Sequence, residues 1–274
     1  MLTLTSNTMA RPFPPPRTVR FKLLGPVGLV SDDRVTPMAG ARQRTLLAVL
    51  VINSGETITR DQFIDELWGE DIPSRADNAL QALVARLRRL LKQSCNTDAG
   101  ASEIITRPGG YRLDCGSETT DIAVFHSLVA QAQFSMHTDP LHSRDLLIQA
   151  LALWEGHALQ GVLGGPICRS AALQYEESRL TAMELEVESE MAVGNTSRAI
   201  SELKRMTLLY PWRERVIEML MVSLYRVGRQ AEAMDTYAKA RTRLIDDLGV
   251  EPSPLLQESL RAILNQDPTL IGAR

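Results

Sequence analysis

Alternating apolar runs open the chain, and helical periods replace them further on. Val19-Arg20-Phe21-Lys22-Leu23-Leu24 and Val27 to Val30 are β-like, separated by Gly25-Pro26 and closed by the turn residues Ser31-Asp32-Asp33. They predict a small antiparallel sheet. From about Ala41 to Asn53, the residues Leu46, Leu47, Val49, Leu50 and Val51 form the apolar side of a helix that Ser54-Gly55 ends. A second helix starts at Thr59, with Gln62 at capping-box spacing. Its apolar stripe of Phe63, Ile64, Leu67 and Trp68 stops at Gly69. Beyond Glu70-Asp71-Ile72-Pro73, the spacing of Ala79, Leu80, Leu83, Leu87 and Leu90 predicts a third helix from about Arg75 to Lys92. Glu103 to Arg107 and Tyr111 to Leu113 read as strands around Pro108-Gly109-Gly110, where glycine supplies the positive φ of a tight hairpin. A sheet, three helices and a hairpin in that order describe a winged helix-turn-helix.

From Asp121 onward the pattern is a series of amphipathic helices broken by Gly and Pro. Gly194 and Gly228 are 34 residues apart, as are Ala199 and Ala233, and Leu203 and Tyr237. That period, with glycine in the turn and alanine at the close helix contact, is the tetratricopeptide pattern. Pro211 closes a first unit; Pro252 falls seven residues late for the second, so the register drifts. A further helix pair fits before Trp154. The large residues Trp154, Tyr210, Trp212, Tyr225 and Tyr237 are expected to be helix-packing core. The predicted fold class is mainly α with a small β component: a disordered Pro-rich leader over 1–17, a winged helix over 18–115, and an all-α tetratricopeptide-like domain over 116–274.

Composition narrows the function. With 44% hydrophobic and 23% charged residues the chain falls in the globular range, and no apolar run approaches the ~20 residues that span a bilayer. The first residues lack a secretion signal, so a cytoplasmic, nucleoid-associated protein is expected, with no membrane partner. Cys95, Cys115 and Cys168 give neither a disulfide framework nor a zinc spacing, and His126, His137, His142 and His157 show no metal or catalytic pattern. No Walker loop, G-x-S-x-G or H-E-x-x-H is present, so the chain reads as a non-enzyme without cofactor or metal. The overall charge of −3 hides a division: 15 Lys+Arg against 12 Asp+Glu through Cys115, and 15 against 21 in the remainder.

The basic residues are concentrated where a recognition helix would be. Arg86, Arg88, Arg89 and Lys92 cluster on the third helix with no acidic residue there after Asp77, a surface that attracts phosphates. Arg107 and Arg112 add charge on the hairpin. Together they point to DNA, with third-helix arginines in the major groove.

Ala85-Arg86-Leu87-Arg88-Arg89, followed by Ile105-Thr106-Arg107-Pro108-Gly109-Gly110-Tyr111-Arg112-Leu113, resembles the recognition helix and wing of OmpR-type winged helices. The opening Val19-Arg20-Phe21-Lys22-Leu23-Leu24-Gly25-Pro26, with the repeat domain behind it, is closer to the Streptomyces antibiotic regulatory proteins. The resemblance runs from about Val19 to Asn265. It implies a transcriptional activator of a secondary-metabolite gene cluster, binding direct repeats near the promoter's −35 element as a head-to-tail homodimer. It also implies recruitment of RNA polymerase through the sigma and alpha subunits. Arg86 and Arg88 match positions that reach base edges or nearby phosphates, and Arg107 and Arg112 match wing positions directed at the minor groove or backbone. Asn78, Gln81 and Ala82 lie one to two turns earlier. Pro108 stands where the family's wing often has glycine, a departure at the tip. Glu70, Asp71 and Ser74 occupy the loop that OmpR-type activators present to polymerase, or form an ordinary acidic turn and helix cap. Two other readings stay open: a tetratricopeptide adaptor without DNA affinity, and a DNA-binding repressor.

Overall fold

The computed structural model describes residues 20–31, 34–36, 38, 40–94, 102–115 and 120–271; the expected leader and Cys95 lie outside them. The chain forms two compact units. One combines residues through Val124 with Trp154–Glu176; the other combines Phe125–Leu153 with the chain from Glu177 onward. The first unit is therefore not the single stretch that the linear reading expects, because a later segment joins it.

Strands β1 (Arg20–Lys22), β2 (Gly28–Ser31) and β3 (Arg34–Thr36) form an antiparallel sheet in that order. Helix α1 (Ala41–Ile52) follows, then the short strand β4 (Ile58–Thr59), α2 (Arg60–Trp68), α3 (Ala76–Ser94) and the hairpin of β5 (Glu103–Arg107) and β6 (Gly110–Asp114). A second sheet has the order β4-β6-β5. Strands β3 and β4 are too short for an alternation of residues to reveal. Helix α1 is buried from Thr45 to Val51 on every side, and it packs against both α2 and α3. A helix without a polar face belongs at the centre of its unit.

The Leu23-Leu24-Gly25-Pro26 segment receives the returning chain. The carbonyls of Leu24, Leu23 and Gly25 accept the N–H groups of Glu155, Leu159 and Gln160 at 2.8, 2.8 and 2.9 Å. Lys22 also pairs with Glu155. Gly25 has φ +150°, and a Cβ there would lie 3.1 Å from the Glu155 Cβ, so the close approach requires glycine. Asp121 closes the joint: its carboxylate accepts the Leu23 and Leu24 N–H groups at 2.9 Å. Burial raises this carboxyl above its ordinary range, while the bonds from Leu24 and Leu23 hold the charged form in place.

Helices α4 (Asp121–Ser135), α5 (Pro140–Leu151), α6 (Pro166–Ala192), α7 (Thr196–Leu209), α8 (Glu214–Arg226), α9 (Gln230–Leu248) and α10 (Pro254–Leu264) make up the rest, with a final 3-10 turn at Pro268–Ile271. The period of 34 reappears in the hydrogen bonds. Gly194 (φ +85°) and Gly228 (φ +77°) donate to the carbonyls of Met191 and Tyr225, and Asn195 and Arg229 donate to those of Glu190 and Leu224. The same pair of bonds recurs after α10, from Gln266 to Ile263 and from Asp267 to Ala262. The second unit's core includes Val187, Ala199, Leu203, Val216, Leu220, Ala233 and Leu256. The register drifts because α9 has 19 residues where α7 has 14.

Two aromatic expectations need correction. Trp212 is 55% exposed rather than core, because it sits in the turn between α7 and α8. Trp154 is buried, but in the unit that contains the winged helix. Tyr210, Tyr225 and Tyr237 pack against the helical core as expected. Among the described residues no helix is long and apolar enough to cross a membrane.

Asp121→Asn replaces one accepting oxygen with a donor that faces an N–H group. It should lower stability by about 1–3 kcal/mol, the cost of leaving buried donors unmade. Asp145→Asn, on an exposed neighbour pair, should stay within about 0.5 kcal/mol. Urea denaturation checks both, and equal midpoints for the two variants would refute the clamp.

Candidate nucleic-acid interface

The placement of charge follows from the burial pattern of α3. Ala76, Leu80, Val84, Leu87, Leu91 and Ser94 face inward at four- and three-residue intervals. The opposite side is exposed and carries Asn78, Gln81, Ala82, Ala85, Arg86, Arg89, Lys92 and Gln93. Its first turn is polar and uncharged beyond Asp77, and its later turns are cationic. This order suits side chains that enter a groove near the helix start while cations further along meet phosphate.

The helices that carry α3 are fixed at both ends. Thr59 accepts from the Gln62 N–H at 3.3 Å, and the Gln62 side chain accepts from the Thr59 N–H at 2.9 Å. Gly69 ends α2 with φ +54°. Within the same unit, the buried carboxylate of Glu66 on α2 accepts the N–H groups of Ile167 and, at 3.5 Å, Cys168 at the start of α6. No sequence motif announced this cap, since Glu66 reads as one more polar position on an amphipathic helix. Glu70, Asp71 and Ser74 are all exposed in the turn that follows, with Ile72 exposed beside them.

The hairpin pairs Arg107 with Gly110, Thr106 with Tyr111 and Ile105 with Arg112. Its turn is Pro108-Gly109, with Gly109 at φ +81°. Proline presets the first turn position and glycine adopts the second, which is the type II requirement, so Pro108 suits the tip. Gly110 is needed for a different reason: β6 pairs with β4 there, and a Cβ would overlap the Ile58 carbonyl oxygen.

The expected contact residues separate into two groups. The side chains of Arg86, Arg89, Lys92 and Arg107 are exposed and make no hydrogen bond or ion pair among the described residues. Arg88 and Arg112 are engaged. The Arg88 guanidinium donates to the Ile104 carbonyl at 3.0 and 2.8 Å and to the Thr106 hydroxyl at 2.8 Å. Arg112 forms a two-point pair with Asp114, whose carboxyl is held below its ordinary range by that hydrogen bond. The pair offsets part of the wing's charge. Sequence reasoning missed Arg60, which is exposed at the start of α2 and whose N–H donates to the Gly109 carbonyl at 3.0 Å, beside the wing turn.

The second unit treats its arginines differently. Arg213 pairs with Glu184 at 2.9 Å and Glu177 at 2.6 Å, Arg215 with Glu188 at 2.7 Å and Arg241 with Glu251 at 2.6 Å. Arg198, Arg205 and Arg229 also have glutamate partners. Arg226 donates instead to the Leu270 carbonyl, and Arg243 is exposed without an ion pair among the described residues, but most of the second unit's arginines are matched where the clustered cations of α3 and the wing tip are not. Among the described residues no group of three or more His, Cys, Asp or Glu is placed to hold a metal ion.

Comparisons with known proteins identify the families that the chain matches. The profile of the family "Transcriptional regulatory protein, C terminal" matches residues 38–113, and that of the "Bacterial transcriptional activator domain" matches residues 120–264. The transcriptional regulator RedD of Streptomyces coelicolor is 38% identical over 92% of this chain and 72% of its own length. The regulatory protein DnrI of Streptomyces peucetius is 31% identical, over 91% and 93% of the two chains. The regulatory protein AfsR of Streptomyces coelicolor is 39% identical, but this chain spans only 25% of it. A solved structure of Mycobacterium tuberculosis EmbR in complex with a low affinity phosphopeptide aligns with a TM-score of 0.85 and 31% identity, covering 92% of this chain and 66% of that one.

The two hairpin glycines should respond differently to alanine. Gly110→Ala must push β4 and β6 apart and should destabilise by about 1–3 kcal/mol or more. Gly109→Ala meets open space and carries only the left-handed backbone cost of roughly 1–2 kcal/mol. Thermal melts, with amide exchange of the hairpin, check the ranking; local hairpin opening only in Gly109→Ala would contradict it.

Proposed function

The chain belongs to the Streptomyces antibiotic regulatory protein family, a family of DNA-binding transcriptional regulators, and from that membership we propose a promoter-specific activator of a secondary-metabolite gene cluster. The observation that carries the reading is the uncompensated basic face of α3 and the wing tip. In water such a face costs little. Beside DNA it releases condensed counterions, which is the main source of sequence-independent affinity.

In this reading α3 lies in the major groove. Asn78, Gln81 and Ala82 on its early turns face base edges, with Arg86 reaching a base or adjacent phosphate. Arg89 and Lys92 bind phosphate, and Arg107 at the wing tip reaches the minor groove or backbone. Arg60 adds a phosphate contact that the expected set lacks. Arg112 contributes less than Arg107, because Asp114 already holds its guanidinium. Two copies bind direct repeats head to tail near the −35 element. The exposed turn of Glu70, Asp71 and Ser74 then meets RNA polymerase, whose sigma and alpha subunits are the partners that the family resemblance implies.

Binding of the purified chain to its own upstream promoter fragment, titrated with salt against unrelated competitor DNA, tests the reading. Tight, salt-sensitive binding that survives competitor is expected. Absence of binding at low salt would sink it and favour a protein adaptor. Arg86→Ala should cost about 1–3 kcal/mol with relaxed discrimination at one base pair. Arg89→Ala should weaken binding to all sequences alike. Replacing Glu70 and Asp71 with Ala should leave DNA binding unchanged and reduce transcription by purified polymerase. A wild-type chain that lowers transcription in that assay would be a repressor.

A further inference from the structure

We propose that Arg88 is a positioning residue that clasps the wing to the recognition helix, setting where Arg107 meets DNA, rather than a reader of bases. The inference rests on the DNA-binding reading above and assigns Arg88 a different part within it. The helix period turns Arg88 roughly 100° from Arg89, off the exposed face and toward the hairpin. It is half-buried, whereas Arg86, Arg89 and Lys92 are exposed.

Three donor contacts hold Arg88 there. Its Nε and one terminal nitrogen both donate to the Ile104 carbonyl, at 3.0 and 2.8 Å, and the same terminal nitrogen donates to the Thr106 Oγ1 at 2.8 Å. Ile104 and Thr106 both lie on β5, one residue apart from each other across Ile105 and close to the Arg107 tip. The guanidinium carbon also lies 5.9 Å from the centre of the Tyr111 ring on β6. Tyr111 in turn meets Phe63 of α2 edge-on, with ring centroids 6.1 Å apart.

Arg88, Tyr111 and Phe63 thus link α3, the wing and α2, the elements that would bear on the duplex. β6 is paired with β4, whereas β5 is the edge strand of that sheet, and Arg88 ties this edge to α3. The planar guanidinium fork grips a carbonyl and a hydroxyl together, a geometry that a lysine ammonium cannot reproduce. A plain phosphate contact, by contrast, would tolerate lysine. Swinging Arg88 into the groove would also leave the Ile104 carbonyl without its side-chain donor.

The test uses the full chain with Arg88→Ala, Arg88→Lys, Arg107→Ala and the double variant Arg88→Ala/Arg107→Ala, measured on the promoter fragment at one salt concentration. Thermal melts establish that each variant is folded, and Arg88→Lys serves if Arg88→Ala is not. The expected result is that Arg88→Ala and Arg88→Lys weaken binding alike, by about tenfold, without change in base preference, and that the double variant binds no worse than the weaker single variant, the signature of coupled sites. Amide exchange across residues 103–114 should accelerate in both Arg88 variants without DNA. Rescue by lysine, a relaxed preference at one base pair or fully additive losses would each overturn the proposal. Unchanged exchange would do the same. If the wild-type chain itself fails to bind, the DNA-binding reading falls and the positioning role falls with it, while the exchange measurement still reports whether the clasp exists.

Discussion

Burial of one side of α3 decides what the other side can be. Leu80, Val84, Leu87 and Leu91 dock the helix on the central helix α1 and its neighbours, so Arg86, Arg89 and Lys92 must face outward. Side-chain direction on a helix leaves no other choice. Because acidic residues are missing from this stretch after Asp77, the charge is not compensated within the helix. Elsewhere the same residue type is often matched: Arg205 on α7, Arg215 on α8 and Arg241 on α9 each pair with a glutamate and serve the helical stack. Exposed pairs of that kind contribute only about 0–1 kcal/mol each.

The first unit depends on a segment distant in sequence. Backbone bonds from Glu155, Leu159 and Gln160 to the Leu23–Gly25 carbonyls, and from Ile167 to Glu66, complete the surroundings of the small N-terminal sheet and α2. Arg44 and Thr45 of α1 join the same network through the Gly161 carbonyl and the Leu163 N–H, at 2.8 and 2.9 Å. The winged helix is therefore built with residues that a linear division assigns to the helical region. This accounts physically for the Leu23-Leu24-Gly25-Pro26 opening. Its carbonyls are acceptors for the returning chain, and its glycine admits the Glu155 backbone.

Much of this architecture was legible in sequence where a local rule governs it. The Thr59–Gln62 cap, the Gly69 stop, the α3 stripe and the period of 34 each depend on residues within a turn or one repeat. What stayed hidden depends on partners far along the chain. Strand β4 exists because Ile58 and Thr59 pair with Tyr111 and Gly110, and nothing in two residues foretells that. Glu66 and Asp121 look like solvated carboxylates until their N–H donors from other segments are in view. Trp212 shows the opposite failure, since aromatic bulk alone does not bring a turn residue into a core. Within the candidate interface, the residue types pointed to charge but not to its use. Only the fold separates the outward Arg86 and Arg107 from Arg88, turned to the hairpin, and Arg112, held by Asp114.

The uncompensated face of α3 and the wing tip is the phosphate-binding surface proposed above. The most direct measurement is the slope of log affinity against log salt for the full chain on its promoter fragment. It should be compared with a chain in which Arg86, Arg89, Lys92 and Arg107 are all glutamine. The expected result is a steep slope that flattens by up to about 0.9 for each contact removed. A slope unchanged by losing all four charges, with affinity retained, would place the DNA-binding surface elsewhere.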